Sequence, residues 1–154
     1  MTGSEEITSP RAINSDGPVI MVDDNDSDIV LAKFCYQDAK VPNPFVGMHS
    51  GSELLDYLES VVAETAAMPA IVLLDINMPG MSGFEVLARM RSRPEFRQMP
   101  IIMMLTHSDY PEDVSKAREL GADGFQTKPF LVREYVAFFA SLRHEAAKAN
   151  GKTN

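Results

Sequence analysis

The chain has 154 residues, a formal charge of −8 and an ordinary 45% hydrophobic share, which suits one soluble globular domain. The acidic balance disfavours broad binding to nucleic acid or anionic membrane, and no stretch approaches the ~18 apolar residues of a membrane helix. Residues 1–18 lack the apolar core of a secretory signal, and the single cysteine, Cys35, cannot form an internal disulfide, so the expected location is cytoplasmic.

Residues 1–17 are polar and read as a mobile tail. A first apolar run, 18–22, predicts a strand that ends in Asp23 and Asp24. Asp26 or Ser27 is placed to cap a helix to about Ala39, with Leu31, Ala32, Cys35 and Tyr36 on its inner face. Pro42 and Pro44 turn the chain into a short strand at 45–48, and Leu54, Leu58 and Val61 carry helical spacing from about Ser52. The run 70–74 predicts a third strand ending in Asp75. A loop through Asn77, Pro79 and Gly80 leads to a helix with Phe84, Leu87 and Ala88 on one face. Arg89, Arg91, Arg93 and Arg97 cluster near its end and read as a solvated, dipole-complementing surface. A fourth strand, 100–105, ends at Thr106. The next helix starts with Pro111 and stops at Gly121. A fifth strand, 123–127, ends at Lys128, and Val132, Tyr135, Phe139 and Leu142 line a last helix. Residues 18–143 thus form the expected domain, and 144–154 a fraying tail.

Strict strand–helix alternation predicts a parallel sheet with helices on both faces and right-handed crossovers. Ligands of such sheets bind at the strands' carboxyl ends. Asp23, Asp24, Asp75, Thr106 and Lys128 all fall at such ends and are expected to converge. An acidic cluster with one hydroxyl and one lysine suits a hard divalent cation holding a phosphoryl group.

The segments Val22-Asp-Asp24, Leu74-Asp-Ile-Asn-Met-Pro-Gly80, Leu105-Thr106 and Thr127-Lys-Pro-Phe130 together resemble the receiver domain of two-component response regulators over residues 18–143. The resemblance implies a flavodoxin-like, CheY-like sheet of order 2-1-3-4-5, an order that the strand–helix alternation alone does not fix. It implies Asp75 as phosphoacceptor and Mg²⁺ as cofactor. The Mg²⁺ ligands would be Asp24, Asp75 and the Asn77 backbone carbonyl, with Asp23 acting through water. Lys128 would meet a phosphoryl oxygen, and Thr106 would donate its hydroxyl to it. Thr106 and Phe125 would form the switch, Phe125 turning inward and lacking the phenol hydroxyl frequent at that position. The bond from Lys128 to Pro129 is commonly cis in the family. His107 stands where a small residue is common and could restrict access, against the plainer reading of a solvent-facing imidazole. Asn77 and Ser108 stand where phosphate lifetime is tuned.

Each of these residues has a plainer structural reading. Asp75 could be a turn aspartate, Asp23 and Asp24 helix caps, Thr106 a β-branched strand end, Lys128 a surface lysine and Phe125 a core aromatic. The four segments in this order favour the receiver reading. The implied donor is a sensor histidine kinase or phosphotransfer protein acting in trans, since none of His49, His107 and His144 has a kinase context. The implied output is protein–protein binding through the fourth helix, fifth strand and fifth helix to a downstream protein, with homodimerisation through the fifth helix left open. No output domain is expected after the last helix. Asp24-Asn-Asp-Ser-Asp28, Asn43-Pro44 and Gly51-Ser-Glu-Leu-Leu55 look more like regulators paired with phytochrome-type kinases than like the chemotaxis protein. A dehalogenase-type phosphatase would want an acid at Asn77, and a receiver that has lost phosphorylation would not need all five site residues. A turnover enzyme and a DNA-binding regulator are both disfavoured.

Overall fold

The computed structural model describes residues 16–149. Its elements alternate as β1 (Val19–Val22), α1 (Asp26–Asp38), β2 (Phe45–Met48), α2 (Gly51–Val62), β3 (Ile71–Leu74), α3 (Gly83–Ser92), a 3₁₀ turn (Pro94–Phe96), β4 (Ile101–Thr106), α4 (Pro111–Glu119), β5 (Gly124–Thr127) and α5 (Val132–Ala149). All strand pairs are parallel, and the sheet order is β2-β1-β3-β4-β5. The flavodoxin-like architecture expected from the sequence is the observed one.

The central strands β1, β3 and β4 are buried along their whole length and almost entirely apolar because both their faces are covered, whereas β2 and β5 at the sheet's edges are only partly buried. Successive side chains alternate between two cores. Val19, Met21, Ile71, Leu73, Ile101, Met103 and Leu105 meet the inner faces of α1 and α5. Ile20, Val22, Val72, Leu74, Ile102 and Met104 meet α2, α3 and α4. A one-residue slip in any strand would exchange its two faces, so the register is fixed by packing.

That register aligns the site. Val22 pairs with Leu74 and Leu74 with Met104. The ladder runs past the assigned strands, with the Asp23 amide donating to the Met48 carbonyl at 3.0 Å and the Asp75 amide to the Val22 carbonyl at 3.0 Å. The Lys128 amide likewise donates to the Thr106 carbonyl at 2.7 Å. Residues distant in sequence are thereby held side by side at one edge.

Several local expectations are corrected. The cap of α1 is Asn25, whose side chain accepts from the Asp28 amide, rather than Asp26 or Ser27. α1 buries Ile29, Ala32, Cys35 and Tyr36, while Leu31 faces out; the buried arc sits one step round the helix from the expected one. In α3 the buried residues are Val86, Leu87 and Met90, and Ala88 is exposed. In α5, Val132 is exposed and Phe138 is buried instead. α5 continues to Ala149, past the expected boundary at 143. The cis peptide bond among the described residues is Met99–Pro100; the bond between Lys128 and Pro129 is not cis. Of the expected tails at 1–17 and 144–154, residues 1–15 and 150–154 lie outside the described residues.

The arginine cluster is not uniformly solvated. Arg91 is largely buried, donating from Nη2 to Asp123 Oδ2 at 2.8 Å, from Nη1 to the Phe96 carbonyl at 3.0 Å and from Nε to the Gly121 carbonyl at 2.9 Å. Asp123 also accepts from the Ile102 amide at 2.9 Å, so the group ties α3 to the start of β4 and β5. Gly121 there has φ +103°, a left-handed position suited to glycine. Arg91→Ala is expected to lower stability by about 3 kcal/mol, because a largely buried ion pair is broken by removing its cation. Urea unfolding monitored by circular dichroism checks this.

Candidate functional site

At the carboxyl edge of the sheet a cleft of about 220 Å³ is lined by Asp23, Asp24, Asn25, Asp28, Asp75, Asn77, Thr106, His107 and Lys128. All five sequence-predicted residues of the acidic and phosphoryl site are therefore together. Asp23, Asp75, Thr106 and Lys128 are buried, and Asp24 is exposed at the mouth. Asn77 also faces the cleft and is exposed.

Oxygens of Asp23, Asp24 and Asp75 lie within 4.8 Å of one another. Three carboxylates so close repel unless a cation is present. Lys128 supplies one: its Nζ donates to Asp23 Oδ2 at 2.5 Å and Asp28 Oδ2 at 2.8 Å, and lies 3.7 Å from Asp75 Oδ2. Burial works against the Lys128 charge, but Asp23, Asp28 and Asp75 outweigh it and push its pKa above 10.5. Burial also pushes the Asp75 carboxyl above 3.8; Lys128 and a hydrogen bond with Thr106 oppose this, Asp23 adds to it, and the Ile76 amide, bonded to Oδ1 at 2.8 Å, opposes it. Asp23 Oδ1 accepts from the Asn25 amide at 2.9 Å, which fixes its carboxylate while α1 begins.

Asp28 was not legible as a site residue. It lies in the acidic first turn of α1, where Asp and Asn read as helix starts, and its link to Lys128 spans a hundred positions. The signal available was an acid five residues after Asp23 on a helix that must cross the sheet edge. Asp28 Oδ2 also stands 3.5 Å from Nε2 of His107. His107 is 65% exposed, so it lies at the rim and faces solvent rather than plugging the cleft. Ser108 is held by its hydroxyl to Asp113, which ties the β4–α4 loop to the first turn of α4.

Thr106 lies beside Asp75 in the cleft, and Phe125 is already inside the core. The expected inward turn of Phe125 therefore has no outward starting point in this structure. Phe125 also borders a groove with Asp109, Val114, Gln126 and Thr127 between α4 and β5.

The loop after Asp75 returns through a close approach. The Gly83 amide donates to the Ile76 carbonyl at 2.8 Å, and Ser82 caps α3 by accepting from the Glu85 amide at 3.2 Å. A Cβ on Gly83 would stand 2.0 Å from the Asp75 carbonyl oxygen. Gly83→Ala is expected to cost about 1–3 kcal/mol by overpacking and to displace the Asp75 side chain, measurable as a lower urea midpoint together with shifted amide NMR signals around Asp75.

Residues 19–139 match the model of the response regulator receiver domain. An uncharacterized transcriptional regulatory protein of Bacillus subtilis, YkoG, is 36% identical over 101 residues, 65% of this chain; the chain spans only 40% of that relative's length. The bacteriophytochrome response regulator RtBRR is 32% identical with a TM-score of 0.69, covering 83% of this chain and 78% of that one. RPA3017, a response regulator in red light signaling of R. palustris, is 26% identical with a TM-score of 0.75, covering 83% and 92%. Receiver domains are phosphoacceptor signalling modules that bind Mg²⁺ in an acidic pocket and take their phosphoryl group from histidine kinases or phosphotransfer proteins. With this edge-on cluster of acids on a 2-1-3-4-5 sheet and a family match over most of its length, the chain belongs to the response regulator receiver domain family.

Proposed function

We propose that this receiver accepts a phosphoryl group on Asp75 from a phosphohistidine and signals by protein–protein binding through the face made by α4, β5 and α5. The observation that carries this reading is Lys128 Nζ 3.7 Å from Asp75 Oδ2 beside three carboxylates whose oxygens lie within 4.8 Å. An Asp75 oxygen forms the new P–O bond as the donor's P–N bond breaks, and the departing imidazole keeps the electron pair. Lys128 balances charge on the phosphoryl oxygens, and Thr106 donates its hydroxyl to one of them. Such transfer needs positioning and charge neutralisation more than covalent chemistry from the protein.

The all-oxygen donor set fits Mg²⁺. Asp24, Asp75 and the Asn77 carbonyl would hold it, with Asp23 acting through water. When bound it neutralises the acidic cluster and the incoming phosphoryl charge. Asp75 is the phosphoacceptor of a signalling module and not a nucleophile turning over a separate substrate.

Exposed apolar residues lie on α1 and at the start of α5. Val30, Leu31 and Phe34 on α1 and Phe130, Leu131 and Val132 before and at the start of α5 are exposed, and the two elements meet where Cys35 Sγ donates to the Val132 carbonyl at 4.0 Å. Apolar patches of this kind mark interaction surfaces. We take this apolar surface to be the docking face for the histidine kinase or phosphotransfer protein that delivers the phosphoryl group. With Phe125 already inward, phosphorylation acts by tightening the α4–β5–α5 face rather than by swinging Phe125 from solvent. A downstream protein, or a second copy through α5, reads that face. Nucleic acid is not an expected partner at a net charge of −8.

Phos-tag electrophoresis with acetyl phosphate tests the reading. A retarded band that needs Mg²⁺ supports it. Absence of such a band with both acetyl phosphate and a histidine kinase would rule it out.

A further inference from the structure

One oxygen of Asp28 lies between two basic side chains. Asp28 Oδ2 accepts from Lys128 Nζ at 2.8 Å and stands 3.5 Å from Nε2 of His107. The acid is fixed in the first turn of α1, where its amide donates to the Asn25 side chain at 3.3 Å and to the Asn25 carbonyl at 3.1 Å. Asp28 is not one of the three acids, Asp23, Asp24 and Asp75, whose grouped oxygens suit Mg²⁺. Its link to the site runs through Lys128.

Lys128 is drawn two ways. An ammonium has three donors. Two are bonded to Asp23 and Asp28, while Nζ stands 3.7 Å from Asp75 Oδ2, beyond hydrogen-bond range. The lysine backbone is tied to the Thr106 carbonyl at 2.7 Å, so its flexible stem carries any movement of the charge. Resting on the reading of Asp75 as phosphoacceptor, Nζ has to close on a phosphoryl oxygen there. The attraction of Asp28, which sits on a different element, opposes that approach. Once Nζ moves, a carboxylate only 25% exposed gives up its close partner. His107 is 65% exposed, which leaves its ring room to close on the same oxygen. As imidazolium, or as the neutral tautomer with its hydrogen on Nε2, the ring donates to a carboxylate.

We propose that Asp28 is a positioning residue that holds the Lys128 ammonium off Asp75 at rest, and that His107 takes over the Asp28 oxygen when Lys128 closes on the phosphoryl group. Asp28 thereby slows phosphoryl uptake, and His107 offsets part of that restraint. Neither residue touches the phosphoryl group.

The test is the maximal rate of phosphoryl uptake at saturating acetyl phosphate and Mg²⁺ in wild type, Asp28→Asn, His107→Ala and the double variant. Asp28→Asn is expected to be about threefold to tenfold faster, the release of one hydrogen bond to a charged group at a partly exposed site. His107→Ala is expected to be about two- to threefold slower, and to be silent in the Asp28→Asn background. A variant damaged only in its packing would lose rate rather than gain it. The Asp28→Asn gain should also vanish in a Lys128→Ala background, where there is no lysine to restrain. An Asp28→Asn protein no faster than wild type would overturn the proposal. An equal gain with and without Lys128 would also overturn it, and would mean that Asp28 merely repels the anionic donor. Faster uptake in His107→Ala, in both backgrounds, would make His107 an obstruction at the cleft and overturn its part. If wild type takes up no phosphoryl group from acetyl phosphate or a histidine kinase, the phosphoacceptor reading fails first and this one falls with it.

Discussion

Asp75→Asn protein is expected to take up no phosphoryl group from either acetyl phosphate or a kinase and, at neutral pH, to melt at a higher temperature than wild type. The first effect follows from removing the nucleophilic oxygen, since an amide in the same place cannot form the acyl phosphate. The second follows from the site's electrostatics. Burial holds the Asp75 carboxyl above its ordinary value of 3.8 despite Lys128 and Thr106. A raised carboxyl pKa means that the folded state binds the proton more tightly than the unfolded state, so ionisation works against folding. That penalty is absent below 3.8, where both states are protonated. It grows as pH rises through the raised pKa and is complete above it. The gain from Asp75→Asn should accordingly shrink as pH is lowered toward the ordinary carboxyl value. Mg²⁺ should raise the melting temperature of wild type more than that of the variant, since the variant keeps one carboxylate fewer for the ion. Differential scanning calorimetry at several pH values, with and without Mg²⁺, reads all three effects.

Lys128→Ala is expected to act in the opposite direction on stability while also damaging phosphoryl uptake. The lysine is the cation shared by Asp23, Asp28 and Asp75, and Asp23 is 1% exposed. Removing it leaves a buried charge uncompensated, a loss of about 3–5 kcal/mol in proteins where such pairs have been broken. The raised Lys128 pKa gives the same sign: its contribution is complete below 10.5 and is lost only as pH rises through the higher folded value. Mg²⁺ should restore part of the lost stability, because it supplies another cation to the same carboxylates. It should not restore the rate, which is expected to fall about 10²–10³-fold, the usual effect of deleting one group aimed at developing charge. Lys128→Arg would separate charge from geometry: the wider guanidinium keeps the charge but cannot act as a compact point donor to both acids. Urea unfolding and stopped-flow phosphorylation of these variants check the pair of effects.

The opposite signs at Asp75 and Lys128 bear on what a sequence discloses. The apolar runs of β1, β3 and β4 disclosed the central strands because these are buried on both faces, the edge strands β2 and β5 followed from the strand–helix alternation, and the residues at the strand ends disclosed the site because parallel strands end at one edge. The side of each helix that turns inward was less legible. In α1 the apolar residues Ile29, Val30, Leu31, Ala32, Phe34, Cys35 and Tyr36 cover nearly the whole circumference, so periodicity does not choose between an arc centred on Leu31 and the observed one. The excess outside, Val30, Leu31 and Phe34, is left exposed. Likewise Val132 fits the inner helical spacing of α5 but sits in the first turn, beyond the edge of the core. The cap of α1 was ambiguous because Asp23-Asp-Asn-Asp-Ser-Asp28 offers six residues of capping type.

Long-range pairings were the least legible. Arg91 looks like its neighbours Arg89 and Arg93 in sequence, but only Arg91 points at Asp123 across the start of β4. Asp28 reads as an acidic first-turn residue, and only the tertiary fold brings it to Lys128. Tyr135 reads as an inner-face aromatic, which it is; that its buried hydroxyl finds no hydrogen-bond partner has no counterpart in any local pattern. Each depends on which residue another element brings opposite, and a single sequence carries no direct record of that.

The most direct test of the phosphoacceptor assignment is to locate the acyl phosphate. Wild-type protein phosphorylated with Mg²⁺ is reduced with borohydride, which converts an aspartyl phosphate to homoserine, and is then mapped by peptide mass spectrometry. Homoserine is predicted at position 75 alone, and none after EDTA treatment before phosphorylation. Modification at Asp23, Asp24 or Asp28, or phosphate retained on His49 or His107, would contradict the assignment.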